Sequence, residues 1–169
     1  MKRIGILSDT HGYWDDRFLS YFQECDEIWH AGDIGSYSVA SRLNSISMLR
    51  AVYGNCDGYD IRRVYPEKNR FRIENAEVLI KHIGGSPGHY DRSVKQDLVQ
   101  NTPNLFVCGH SHILKVQYDK EFNMLFINPR AAGLQGWQQF RTLVLFTIDG
   151  NKFSELDVVE IKRCSDYVP

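Results

Sequence analysis

Residues 4–11 read Ile4-Gly5-Ile6-Leu7-Ser8-Asp9-Thr10-His11, an apolar run that stops on an acid and a histidine two positions apart. Short apolar runs closed by a polar cluster are the mark of buried strands. The pattern recurs four times. Glu27-Ile28-Trp29 leads to His30, Leu49 to Tyr53 leads to Gly54, Val78 to Ile80 leads to Lys81 and His82, and Leu105 to Val107 leads to Cys108. Between the early strands, Phe18, Leu19 and Phe22, and then Val39, Ala40 and Leu43 behind the N-cap candidate Ser36, carry helical spacing. Strand and helix alternate, which predicts an α/β fold. From about Ile113 the rhythm changes to hairpins: ILKVQY with MLFIN, then TLVLFTI, an Asp149-Gly150 turn and a run through Val158, Val159 and Ile161. This strand-rich half is expected to add a second sheet, and GGSPG at 84–88 to form a loop.

The chain has 169 residues, no repeat and no Pro/Gly/Ser linker, so a single domain over 1–169 is expected. A net charge of -1 supplies no basic stripe, so neither sequence-specific nucleic-acid binding nor membrane attachment is expected. An anionic ligand must then be held by a local positive site. Cys25, Cys56, Cys108 and Cys164 lack the paired spacing of zinc knuckles and read as free thiols. The first apolar run stops at Leu7, too soon for a signal peptide, and no run approaches the ~20 residues of a membrane span. The expected compartment is the cytoplasm.

In α/β sheets, ligands collect at the carboxyl ends of strands. Those ends carry Asp9 and His11, Asp33, Asn55, His82, and then His110 and His112. Taken singly, Gly32-Asp33 and Gly54-Asn55 are ordinary turn dipeptides, and His82 reads as a structural histidine. Seven such side chains at five strand ends read instead as one metal centre. Carboxylate, amide and imidazole donors suit manganese, iron, cobalt, nickel or zinc better than calcium or magnesium. Two ions a few ångström apart can share a carboxylate and activate a water for an in-line displacement.

The blocks Asp9-x-His11, Gly32-Asp33, Gly54-Asn55, His82 and Gly109-His110-x-His112 resemble, in this order, those of the calcineurin-like metallophosphoesterases. The resemblance runs from about Lys2 to about Pro129. The chain's length is similar to that of the small phosphodiesterase branch, which bacterial and archaeal enzymes share with a retromer subunit. It implies a four-layer α/β/β/α sandwich of two facing mixed sheets flanked by helices. It also implies one divalent ion on Asp9, His11, Asp33 and His112, and another on Asp33, Asn55, His82 and His110, with manganese the first choice of metal. The implied activity is hydrolysis of a small phosphodiester, a cyclic nucleotide among the candidates, by direct attack of ion-activated water. A phosphomonoesterase and a metal-binding protein-interaction scaffold of the retromer-subunit type are the alternatives, and a homo-oligomer is left open.

The chain also departs from that pattern. Larger relatives place an acid histidine after the asparagine ligand, where this chain has Cys56 and then Asp57, read as a turn residue. His89, at the end of GGSPG, is the substitute candidate for proton donation, and Arg130 in Asn128-Pro129-Arg130-Ala131 is the candidate phosphate clamp. His30 is expected behind the ligands. Tyr13 and Trp14 are read as rim packing, with base stacking as the alternative.

Overall fold

The computed structural model describes residues 1–163, so Cys164 and the end of the expected 1–169 domain lie outside the described residues. In chain order the elements are β1 (Lys2–Leu7), α1 (Arg17–Phe22), β2 (Glu27–His30), α2 (Tyr37–Ile46), β3 (Met48–Ala51), α3 (Tyr59–Arg62), β4 (Lys68–Ile73) and β5 (Ala76–Lys81). Then follow β6 (Gly85–Ser86), β7 (His89–Tyr90), α4 (Arg92–Gln100), β8 (Leu105–Val107), β9 (Leu114–Asp119), β10 (Met124–Pro129), β11 (Phe140–Asp149) and β12 (Lys152–Lys162). No helix among the described residues is long and apolar enough to cross a membrane.

Two five-stranded mixed sheets form, ordered β12-β11-β1-β2-β3 and β4-β5-β8-β10-β9. Alternate residues of β1 sort between two environments. Ile4 and Ile6 face Trp29, Val78, Val107 and Phe146 in an apolar core between the sheets. Leu7 packs outward with Phe18, Phe22, Val39 and Leu43, so α1 and α2 cover the first sheet. On the far side Val94 and Leu98 of α4 pack on Leu79, Phe106 and Phe126 of the second sheet. The layers are therefore α/β/β/α. Each helix is held by few buried side chains, and α2 starts where Ser36 accepts a hydrogen bond from the Ser38 amide.

Register positions the site. Leu7 pairs with His30 and His30 with Ala51, so the parallel strands β1, β2 and β3 end level. In the second sheet Ile80, Val107 and Ile127 are likewise level. The loops carrying the polar clusters thus leave both sheets along one rim.

Three features differ from the sequence expectation. The second sheet already begins at β4, and the last hairpin returns to the first sheet, where β11 runs antiparallel to β1 with Ile6 opposite Val144. The reason is burial: Arg141 to Ile148 of β11 are all buried, as a strand flanked on both edges and both faces must be. The segment read as a loop at 84–88 supplies β6 of a two-stranded hairpin, with Gly85 opposite Tyr90 and Ser86 opposite His89. Helix α4, unread in the sequence, is capped by Asp91, whose carboxylate accepts from the Ser93 amide.

Candidate metal centre

The rim loops adopt conformations that side chains normally avoid. Asp9, His11, Asp33, His110 and His112 all have φ between 46° and 68°, and Arg130 joins them at 66°. Left-handed backbone costs non-glycine residues ~1–3 kcal/mol each, and such strain concentrates where a site must aim side chains. The loops are locked to one another. The Asp9 amide donates to the Gly32 carbonyl, the His11 amide to the Asp33 carbonyl and the Gly109 amide to the His82 carbonyl. Gly54 and Gly109 permit this closeness, because a Cβ at either would stand 2.1 Å from Asp33 Oδ1 or Ser8 Oγ respectively.

Asp9 divides its carboxylate between two tasks. Oδ2 accepts from Ser8 Oγ at 2.6 Å and from the His110 amide at 3.2 Å. Oδ1 faces three imidazole Nε2 atoms, of His112 at 3.1 Å, His11 at 3.9 Å and His82 at 3.9 Å. Asp33 divides likewise: Oδ1 accepts from the Cys56 amide at 2.8 Å, while Oδ2 lies 3.2 Å from His82 Nε2 and 4.0 Å from His11 Nε2. His82 Nδ1 is 2.7 Å from the Ala31 carbonyl, which assigns the ring proton to Nδ1 and leaves the Nε2 lone pair facing the carboxylates.

The electrostatics follow from this crowding. Burial works to raise Asp9 and Asp33, but the facing histidines outweigh it, with His112 foremost at Asp9 and His82 at Asp33, and both acids lie below the usual carboxylate range. Burial works to lower His82, yet Asp33 and Asp9 raise it overall. At His11 burial prevails over the same two acids and the ring is lowered. Both acids therefore stay charged at neutral pH.

These donors fit divalent cations. The Nε2 atoms of His11 and His82 are buried and make no aligned hydrogen bond, even though carboxylate oxygens stand nearby. Metal bonds of ~2.0–2.2 Å place two donors on one ion ~3–4 Å apart, the range of the separations here. Asp9, His11 and His112 form one such group, and Asp9, Asp33 and His82 another.

The remaining expected residues lie around this nucleus. The His110 ring stands edge-on to His82, centroids 5.4 Å apart, and its side chain is exposed. Asn55 is exposed in the wall of a cavity of about 360 Å³ that it shares with His82, its Nδ2 3.4 Å from Cys56 Sγ. His89 is exposed and lines a cavity of about 380 Å³ with His110. Arg130 lines a third, of about 350 Å³, with His110, His112 and the almost fully exposed Trp137. His30 is fully buried behind the loops, as expected. Trp14 packs edge-on against Phe18 and beneath Arg42, at the rim.

Some residues escaped the sequence reading. Asp57 is no mere turn residue: its buried carboxylate accepts from the amides of Ile34, Gly35 and Gly54, joining the loops of Asp33 and Asn55. Asn128 donates to the Gly109 carbonyl and Ser111 Oγ and accepts from the Arg130 amide, joining the last two loops. Their only sequence signal is a polar residue beside a block, which turns also provide. Trp137 carried no periodic signal at all.

Comparison with known proteins adds an independent line. A probable metallophosphoesterase of Methanothermobacter thermautotrophicus is 25% identical over 155 residues, covering 88% of this chain and 87% of that protein. A solved archaeal phosphodiesterase superposes with a TM-score of 0.70 at 20% identity, over 93% of this chain and 99% of that one. Vps29 of Entamoeba histolytica complexed with zinc gives 0.73 at 14% identity, over 95% and 98%. At such identities a structural likeness speaks for the fold alone. The family profile described as the calcineurin-like phosphoesterase superfamily domain matches residues 1–151. That match takes in every candidate ligand from Asp9 to His112, and the chain belongs to the calcineurin-like phosphoesterase superfamily.

Proposed function

We propose that the protein is a phosphodiesterase whose centre holds two divalent ions, one on Asp9, His11, Asp33 and His112 and the other on Asp33, Asn55, His82 and His110. The observation that carries this reading is the pair of orphaned, buried imidazole nitrogens facing two charged carboxylates. The ions would supply Lewis acidity, lowering the pKa of water and neutralising phosphate charge. Manganese, iron, cobalt, nickel and zinc all suit these donors. About +4 from two ions against −2 from Asp9 and Asp33 leaves a positive site, which draws in a phosphate despite the net charge of -1.

The chain's own residues then divide the work. Asp33, with Oδ2 between His11 and His82, is the bridging carboxylate. Arg130 is the clamp on a non-reacting phosphate oxygen, and His89 the donor of a proton to the departing oxygen. Trp137 beside Arg130 offers a flat apolar face to a base or aryl group, which favours a nucleotide-like diester. An archaeal protein of the same fold is described as a phosphodiesterase; in this chain the feature that favours a diester over a monoester is Trp137 beside Arg130. The fold is shared with Vps29, and a metal-binding protein-interaction scaffold is the competing reading.

The test is a metal-reconstituted assay over linear diesters, cyclic nucleotides and monoesters, with elemental analysis of the same samples. Two equivalents of ion and fastest turnover of a diester are expected. Asp33→Asn should lower that rate at least ~100-fold, the scale of removing one preorganised electrostatic contact. Fastest turnover of monoesters would reassign the specificity, and two bound ions with no turnover of any ester would favour the scaffold.

A further inference from the structure

Cys56 stands directly after Asn55, where the proposed function leaves it no task. It is exposed, and its amide donates to Asp33 Oδ1 at 2.8 Å, which holds the residue against the carboxylate proposed to bridge the ions. Its Sγ, a His11 ring nitrogen and an Asp33 carboxylate oxygen all lie within 4.8 Å of one another. The His11 side chain is only 8% exposed, and its Nε2 makes no hydrogen bond. A buried, unpartnered nitrogen thus faces, at 4.0 Å, the carboxylate against which Cys56 is held. The Asn55 side-chain N–H donates to Sγ at 3.4 Å.

We propose that Cys56 is a thiolate ligand of the ion held by His11 and Asp33, and that it biases the centre towards thiophilic ions such as zinc, cobalt and cadmium over manganese and magnesium. The proposal rests on the two-ion reading above. Bonds of ~2.3 Å to sulfur and ~2.0–2.1 Å to nitrogen hold two such donors ~3–4 Å apart, a separation within the 4.8 Å that bounds these three atoms. Binding exchanges the S–H bond for an S–metal bond and releases one proton to solvent, and no electron moves. Thiolate is the softest donor at this rim, and soft donors select zinc-like ions where carboxylates alone accept manganese. Cys25 and Cys108 are buried in the outer cores and cannot substitute for it.

Loading the metal-free full chain with cobalt(II), anaerobically and in reductant free of thiols, tests this without reference to activity. Wild type should bind two equivalents and show near-ultraviolet sulfur-to-cobalt charge-transfer absorption. Cys56→Ser should still bind cobalt but lose that band, while Cys25→Ser retains it. Loss of an outer-shell partner already costs ~10- to 100-fold in affinity, so the zinc-over-manganese preference in competition should fall at least ~10-fold in Cys56→Ser. Two bound cobalt ions without the band, or a band unchanged in Cys56→Ser, would overturn the thiolate while leaving the two-ion centre standing. No cobalt uptake by wild type would overturn both.

Discussion

His30 shows how a residue outside the ligand set governs those within it. Its Nδ1 accepts from the Gly32 amide at 3.1 Å, so its proton sits on Nε2 and points to the Thr10 hydroxyl at 2.9 Å, which in turn donates to the Ile34 carbonyl. A second ring proton would confront the Gly32 N–H. Burial is the main cause that pushes this imidazole down from 6.5 to about 4. The sign follows from proton uptake: above pH 6.5 both states are neutral, and as pH falls from 6.5 to about 4 only the unfolded chain gains the proton. Stability should therefore decline over that window, on the order of 3 kcal/mol from this residue alone. Urea unfolding of metal-free protein at several pH values, compared with His30→Gln, measures it; equal slopes for the two proteins would refute it. At this scale the candidate ligands were legible because metals demand particular side chains. Asp57 and Asn128 were not, since a carboxylate or amide that clamps backbone amides looks in sequence like any turn residue.

Among the elements, strand ends were the readable part and small or polar elements were not. Helix α4 buries only Val94 and Leu98 among polar residues, and the edge strand β4 buries only Ile73 between alternating charges, so neither carries the apolar run by which the other elements were read. The β6–β7 hairpin hides behind glycines. It is anchored by Tyr90, whose hydroxyl donates to Asp119 and whose ring packs on Phe106, Phe122 and Phe126. This anchoring holds His89 at the wall of the cavity that His110 shares. A proton donor matters only when the leaving group is a poor one. His89→Ala should therefore leave activated aryl diesters nearly unchanged and slow alkyl diesters by ~10²- to 10⁴-fold. Rates plotted against leaving-group pKa decide the matter: a uniform loss assigns His89 to substrate positioning, and a shallow slope persisting in the variant points to another acid.

For the whole molecule, the assignment of strands to sheets was the least legible property, because an apolar strand does not declare its neighbours. The first sheet takes both ends of the described chain and the second takes the middle, 68–129. The candidate centre straddles them, with Asp9, His11 and Asp33 leaving the first sheet and His82, His110 and His112 the second. Between them lies one shared core, with Ile6, Trp29 and Phe146 against Val78, Val107 and Ile127. Neither sheet can bury that face alone, which supports our proposal of a single folding domain. Metal-free protein should then unfold in one transition, with Trp fluorescence and far-ultraviolet circular dichroism coincident. The two ions we propose would join both sheets and so favour the folded chain. At free metal 100-fold above Kd, each site adds ~2.7 kcal/mol. A protein of this size gains ~2–4 °C in Tm per kcal/mol, so each ion should raise Tm by ~5–11 °C. Asp33→Asn should keep the single transition and lose most of the increment, since it weakens both sites. Two separated transitions in metal-free protein would make the sheets independent units, and a Tm indifferent to metal would mean that no ion ties them together.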